Sequence, residues 1–220
     1  MNMEYERIQT FIQAYSKDDK EALQKIYDNA VATGVPVIRI EMRDYLKTIL
    51  NMTHPTRILE VGTAVGYSSL YMAECLSEIG LDFHIASIEL DENNAKIAEQ
   101  NIRYLGRQKQ INIHVGDAAE VMKRMREKRF EYDFIFIDAA KAQNQVYMEE
   151  AIQMAHPGTV IITDNIFMDS EILESHFLVE KRDRTIHDRL RQYLHSIKND
   201  PRIETSIVAV GDGIAMSVVK

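Results

Sequence analysis

Cysteine is almost absent from this chain: Cys75 is the single one among 220 residues. No intrachain disulfide is available, and such usage suits a reducing compartment. Proline is nearly as sparse, at four residues, and no Pro- or Gly-rich linker, internal repeat or low-complexity tract divides the sequence. Long hydrophobic runs are missing too. No segment approaches the roughly 20 apolar residues of a membrane span, and the opening Met1-Asn2-Met3-Glu4 has no apolar signal core. Positive charge is in deficit, with 26 Lys and Arg against 34 Asp and Glu, a net charge of -8. That balance excludes a diffuse attraction to nucleic acid or anionic membrane and leaves room only for a local basic face. A single cytoplasmic domain over 1–220 is expected, with a helical segment at 1–52 and an α/β core at 57–220. Its 45% hydrophobic and 27% charged residues are those of an ordinary globular chain.

What the chain does contain is a regular alternation of hydrophobic periods. Ile8, Phe11, Ile12 and Tyr15 recur at helical spacing, so the first fifty residues read as helices. The turn Thr33-Gly34-Val35-Pro36 interrupts them, and the helical pattern resumes over 40–50. From Arg57 onward, strands at 57–61, 83–89, 111–115, 133–137 and 160–163 alternate with helices starting near Gly66, Asp91, Asp117 and Gln143. That order predicts a parallel sheet with right-handed crossovers. A segment over 169–179 precedes a charged helix at 182–198, and 203–210 with 214–219, joined by Gly211-Asp212-Gly213, read as a closing hairpin. The expected fold is α/β: a doubly wound, mostly parallel sheet with an antiparallel C-terminal hairpin and N-terminal helices.

Two of these strands end abruptly in polar groups. Phe134-Ile135-Phe136-Ile137 runs into Asp138, with Lys141 three residues on, and Val160-Ile161-Ile162-Thr163 runs into Asp164-Asn165. Continuous apolar runs are the mark of buried parallel strands, and ligands of open α/β sheets bind beyond their carboxyl ends. Asp138, Asp164 and Asn165 then meet at one crevice as a set of hard oxygen donors, which suits Mg²⁺. Each Asp alone reads equally well as a helix cap; the pair with an adjacent Asn favours the metal. Lys141 would be a proton acceptor or an orienting cation beside it.

The first strand leads into Gly62-Thr63-Ala64-Val65-Gly66-Tyr67-Ser68, either a tight βα turn or a nucleoside site in which Gly62 admits a ligand to the backbone. Glu89 closes the second strand and can accept from a ribose diol. The spacing is not that of a dinucleotide fingerprint, so a pyrophosphate cradle is poorly supported. A ligand with a ribose and no phosphates fits better, such as S-adenosylmethionine, its carboxylate near Ser68 at the helix start. Gly116-Asp117-Ala118 ends the third strand, where Asp117 either meets an adenine amino group or caps the next helix.

These residues together resemble the metal-dependent, catechol-type class I O-methyltransferases, from about Val35 to the C-terminus. The resemblance rests on Glu60-Val61-Gly62, Gly66-Tyr67-Ser68, Glu89, Gly116-Asp117-Ala118, Asp138 with Lys141, and Asp164-Asn165. It implies a seven-stranded Rossmann-like methyltransferase sheet and a homodimer. By position it places Ile38, Gly62, Ser68, Glu89, Gly116, Asp117, Ala118 and Asp138 around S-adenosylmethionine. It gives Asp138, Asp164 and Asn165 to Mg²⁺, and sets Lys141 beside the reacting hydroxyl. Within the family the chain looks most like the bacterial tRNA 5-hydroxyuridine methyltransferases. Relatives acting on small phenols often carry an acid and a tyrosine where this chain has Ala140 and Asn144.

Positive charge gathers at Lys181, Arg182, Arg184, Arg189 and Arg191, either a solvated helix pairing with Asp183 and Asp188 or a face for anticodon phosphates. The run from Lys123 to Arg129 is explained by the dipole at a helix end. His54, His84, His114, His156, His176 and His195 share no ligand spacing, which gives no expectation of zinc. Two neighbouring oxygens are what the Mg²⁺ site would chelate, and both a catechol and 5-hydroxyuridine supply them. The expected activity is methyl transfer to the wobble 5-hydroxyuridine of tRNA. The alternatives are a small catechol-like phenol with a narrow, apolar cleft mouth, or a nucleotide-binding module or dehydrogenase without methyl transfer.

Overall fold

A computed structural model describes residues 3–168 and 170–220, so Asp169, the first residue of the segment singled out above, lies outside the described residues. The sheet runs in the order β3-β2-β1-β4-β5-β7-β6. Its strands are β1 (Arg57–Val61), β2 (His84–Glu89), β3 (Ile111–Val115), β4 (Tyr132–Ile137), β5 (Ala155–Thr163), β6 (Ile203–Val208) and β7 (Ile214–Val219). The first five are parallel, and β7 enters antiparallel between β5 and β6. Strand order reverses between β1 and β4, and the crevice of a doubly wound sheet opens at such a switch point.

Three helices precede the sheet, α1 (Met3–Gln13), α2 (Glu21–Thr33) and α3 (Ile40–Thr53). Five more connect or flank its strands: α4 (Tyr67–Glu78), α5 (Glu92–Tyr104), α6 (Ala118–Glu127), α7 (Asn144–Gln153) and α8 (Arg184–Asn199). The core is two apolar layers, one on each face of the sheet. Alternate residues of each central strand feed opposite layers, as the two-residue period of a strand requires. Ile58, Phe134, Phe136 and Ile162 pack with Met42, Leu46, Leu50, Leu70 and Leu76 of α3 and α4. Leu59, Ile135, Ile137 and Ile161 pack with Met122, Met148, Leu190 and Tyr193 of α6, α7 and α8. This two-sided burial is why these strands are continuous apolar runs.

Two local expectations are corrected. The N-terminal helical stretch breaks a second time at Ser16-Lys17-Asp18-Asp19-Lys20, where Ser16 donates to Asp44 and Asp19 meets Arg43 and Tyr67. In α1 the helically spaced Ile8, Phe11 and Ile12 are exposed, at 55%, 64% and 43%, while Tyr15 falls in the turn after the helix. Strand β5 starts five residues earlier than its apolar run, since Ala155 already pairs with Tyr132 and a register shift absorbs His156-Pro157-Gly158. The Thr159 hydroxyl secures that irregularity by donating to the Tyr132 carbonyl at 2.8 Å.

Phe136→Ala should cost about 3–5 kcal/mol in urea unfolding, the loss expected for an aromatic ring removed from a packed core. Ile8→Ala should change stability by no more than about 0.5 kcal/mol. A larger loss at Ile8 would show α1 packed against something other than its own chain.

Candidate active site

The carboxyl end of β1 turns at Gly62, whose φ is +100°. A Cβ there would lie 1.9 Å from the Asp138 carbonyl oxygen. Glycine is therefore demanded by the backbone of the neighbouring strand end, which sharpens the choice left open by the sequence. Gly66 then caps α4 from the left-handed region, leaving Tyr67 and Ser68 buried in its first turn. Glu89 is held by two backbone donors: Ala64 N–H donates to its Oε2 at 2.7 Å and Asp91 N–H to its Oε1 at 2.9 Å. These bonds aim a carboxylate into the crevice, with lone pairs left for a diol. Asp117 caps α6 by accepting from Glu120 N–H at 3.2 Å, and its residue also lines the crevice.

Ile38, Gly62, Ser68, Glu89, Gly116, Asp117, Ala118 and Asp138 all line one cavity of about 430 Å³. Lys141, Asn165 and Tyr147 border it as well. A second cavity of about 440 Å³ shares Ala139, Ala140 and Lys141 with the first. It is completed by Met168, Glu171, Asp183, Ile186 and Asp212. A larger hollow of about 570 Å³ lies beneath the α1–α2 connection, away from the strand ends.

Asp138 lines the first cavity, and Asp164 is buried next to Asn165, which lines it too. Backbone hydrogen bonds carry the sheet past its last strand residues, Asp138 N–H donating to Val61 O at 2.8 Å and Asp164 N–H to Ile137 O at 2.9 Å. Asn165, with φ of +58°, donates from its side-chain amide to Asp138 Oδ1 at 2.7 Å and from its backbone to Asp164 Oδ1 at 2.7 Å. Burial pushes the Asp138 carboxyl up, with Asn165 and Lys141 pulling back. Burial pushes Asp164 up too, and the charges of Asp138 and Asp212 add to it. Burial raises both acids and the charge of Asp138 raises Asp164 further, which makes a site that a cation relieves. The oxygen-only donor set fits Mg²⁺; turning the Asn165 amide over would add its oxygen to that set.

Asp212 is the acid that motif reading missed. Gly211-Asp212-Gly213 signals only a turn, yet the turn folds back over the site. Its Asp212 and Gly213 carbonyls accept from Phe167 N–H at 2.8 Å and Ile166 N–H at 3.0 Å. A Cβ at Gly213 would meet the Phe167 ring at 2.4 Å, so glycine lets the loop after β5 lie flat on the hairpin. Glu60 of the Glu60-Val61-Gly62 motif is fully buried. It accepts from Ser69 and Ser87, and burial raises its carboxyl to about 7.

The basic face divides. Arg184 donates to Val179 O at 3.1 Å and Phe177 O at 3.2 Å, and Arg191 to Glu174 O at 3.2 Å. Both stitch the preceding segment onto α8. Arg182 pairs with Glu180 and Asp183, each at 3.1 Å, and is largely exposed. Arg189 is exposed. Asp188, expected to pair with an arginine, instead meets His176.

A doubly wound seven-stranded sheet with its cleft at this switch point is the architecture of the class I methyltransferases. Residues 13–220 match the O-methyltransferase family, and the chain belongs to it. It is 26% identical over 227 residues to the catechol O-methyltransferase of Niastella koreensis, covering 100% of this chain and 99% of that one. It is 28% identical over 210 residues to the caffeoyl-CoA O-methyltransferase of Populus kitakamiensis, covering 91% and 84%. The crystal structure of an O-methyltransferase from Bacillus cereus in complex with SAH superposes with a TM-score of 0.83 at 25% identity, covering 97% of each chain. Among the described residues no helix is long and apolar enough to cross a membrane.

Glu60 favours its protonated form in the fold, so its contribution to stability is full below the ordinary carboxyl pKa of 4.5 and is lost as pH rises to about 7. Glu60→Gln keeps the neutral shape. Urea midpoints at pH 5 and pH 8 should fall for the parent and fall less for the variant; equal falls would assign the loss to other groups.

Proposed function

We propose that this chain moves a methyl group from S-adenosylmethionine to the 5-hydroxyl of 5-hydroxyuridine at the wobble position of tRNA, giving 5-methoxyuridine, in the cytoplasm and with Mg²⁺. SAH is what S-adenosylmethionine becomes on losing its methyl, and its presence in the Bacillus cereus relative supports the donor. The first cavity supplies what that donor needs: an oriented carboxylate, Glu89, for the ribose and a helix start at Ser68 for the amino-acid end. Bound at Asp138, Asp164 and Asn165, Mg²⁺ would supply Lewis acidity to two neighbouring substrate oxygens. Lys141 borders both cavities, so its amine reaches the place where donor and acceptor meet and takes the hydroxyl proton there. Buried Ile38 and the backbone at Gly62 line the donor side.

The observation that carries the RNA substrate is the lining of the second cavity. Lys141, Glu171, Asp183 and Asp212 make half of it charged, and no aromatic ring lines it among the described residues. A phenol ring calls for an apolar slot; a nucleotide presented by a larger polar molecule does not. Ala140 keeps that cavity open, and Asn144 is buried at the start of α7. The names of the relatives favour the second reading, methylation of a small catechol-like phenol.

Asp164→Ala should lower turnover by about 10–100-fold or more while the fold survives, and excess EDTA should do the same to the parent. Unchanged turnover in EDTA would remove the metal from the mechanism.

Arg182 and Arg189 are the informative positions for RNA, since Arg184 and Arg191 also hold the fold together. Charge reversal at the first two should weaken tRNA binding and lower its salt slope by ~0.7–0.9 per lost phosphate contact. Mass spectrometry of tRNA nucleosides from cells lacking the protein should show 5-methoxyuridine replaced by 5-hydroxyuridine. Unaltered nucleosides, with efficient turnover of a catechol, would decide for the small phenol.

A further inference from the structure

A second group of metal-ligand atoms lies outside the cleft, where the segment after β5 meets α8. His176, His187 and Asp188 each bring one ligand atom within 4.8 Å of the others. His176 Nδ1 lies 2.9 Å and His187 Nδ1 3.5 Å from the same Asp188 Oδ1. His187 decides what this means, because it is only 1% exposed. Its Nε2 lies 3.1 Å from the Glu174 carbonyl oxygen. A carbonyl only accepts, so Nε2 carries the proton, and in the neutral ring Nδ1 then presents a lone pair. That lone pair faces a carboxylate oxygen. Two acceptors so placed call for a cation between them, either a second proton or a metal ion.

The donor set argues for the metal. Two imidazoles and one carboxylate are borderline ligands of the kind Zn²⁺ takes. A ligating histidine ordinarily gives its other N–H to a carbonyl or carboxylate, which fixes its tautomer, and His187 is held in that way. Ligand atoms about 2.0–2.2 Å from a shared tetrahedral ion stand about 3.4 Å apart, and the observed 2.9 and 3.5 Å bracket that separation. Neighbours in sequence give no sign of the site, since His176 sits on an irregular segment and His187-Asp188 on a helix.

We propose that His176, His187 and Asp188 bind a divalent ion of the Zn²⁺ class, with water completing its coordination, and that the ion fastens the 171–180 segment to α8. Arg184 and Arg191 already bridge the same two elements. Glu171 at one end of the segment, with Asp183 and Ile186 beside it, lines the cavity next to Lys141. The ion thus sets the wall of the acceptor cavity without touching the reacting atoms. It is independent of which acceptor is methylated, and its nitrogen ligands separate it from the all-oxygen Asp138-Asp164-Asn165 set.

The test uses the full chain, stripped of metal and kept in excess Mg²⁺ so that the oxygen site is satisfied. Titration with ZnCl₂ should show one equivalent bound, and Co²⁺ should give the visible absorption of a four-coordinate site with nitrogen ligands. His176→Gln and Asp188→Asn, both at partly exposed positions that spare the core, should each weaken Zn²⁺ binding by about tenfold or more. Zn²⁺ should raise the melting temperature of the parent and not of either variant. Equal Zn²⁺ affinity in parent and variants would overturn the site. So would ¹⁵N NMR showing both His187 nitrogens protonated and unmoved by Zn²⁺, which would identify the cation as a proton.

Discussion

Two carboxylates taken out of water beside each other repel, and each gains by holding a proton in place of its charge. Asp138 and Asp164 are in that state because the sheet leaves them no alternative. Hydrogen bonds from their own backbone N–H groups extend β4 and β5 by one residue each, so the strands that build the core also fix where the acids stand. Asn165 bridges them at 2.7 Å to either side. Its left-handed backbone, with φ of +58°, is one that asparagine adopts more readily than other non-glycine residues. Much of the surrounding structure can be read as holding this pair in place against its own repulsion.

The close packing around the pair follows from the same demand. Gly62 lets β1 press its turn against the Asp138 carbonyl, which brings the nucleoside side of the crevice into contact with the acidic side. Gly213 lets Phe167 lie on the β6–β7 turn, which places Asp212 near Asp164. On the far wall Tyr67 donates to Asp19 at 2.5 Å, and Asp19 pairs with Arg43 at 3.1 Å in a buried bridge. Arg43 also donates to the Lys17 carbonyl at 2.6 Å. Breaking such a bridge would leave an uncompensated buried charge. The N-terminal helices are thereby tied to the residue that opens α4, and Ile38 and Tyr67 line one cavity.

The central strands were legible because burial on both faces writes itself as an uninterrupted apolar run, and the strand-end rule then points to Asp138, Glu89 and Asp164 without any contact being known. Early pairing of β5 was not legible, since Pro157-Gly158 reads as a break and only its partner strand shows that a bulge can absorb it. Periodicity in α1 reports amphipathy and is silent about what the apolar side meets, hence the exposed Ile8 and Phe11. Asp212 hid inside a turn signal. Arg184 and Arg191 looked like free charge because their acceptors are main-chain carbonyls of a segment with no period of its own.

That last point bears on how an acidic protein could recognise an acidic polymer. Arg184 and Arg191 keep their charge but commit donors to main-chain carbonyls, so fewer guanidinium N–H groups on α8 are free to grip a phosphate directly, and Asp183 and Glu180 offset part of the charge at Arg182. Recognition cannot then rest on phosphate attraction alone, whose strength grows with the number of contacts. For the tRNA substrate proposed above it would draw also on the second cavity, where Glu171, Asp183 and Asp212 would offer oxygen acceptors to a base and Lys141 a donor. A chain of net charge -8 that reads a nucleotide mostly by its base, and only locally by its backbone, is a physically consistent arrangement. It would favour an exposed loop nucleotide over a duplex, because only an unstacked base can enter such a cavity.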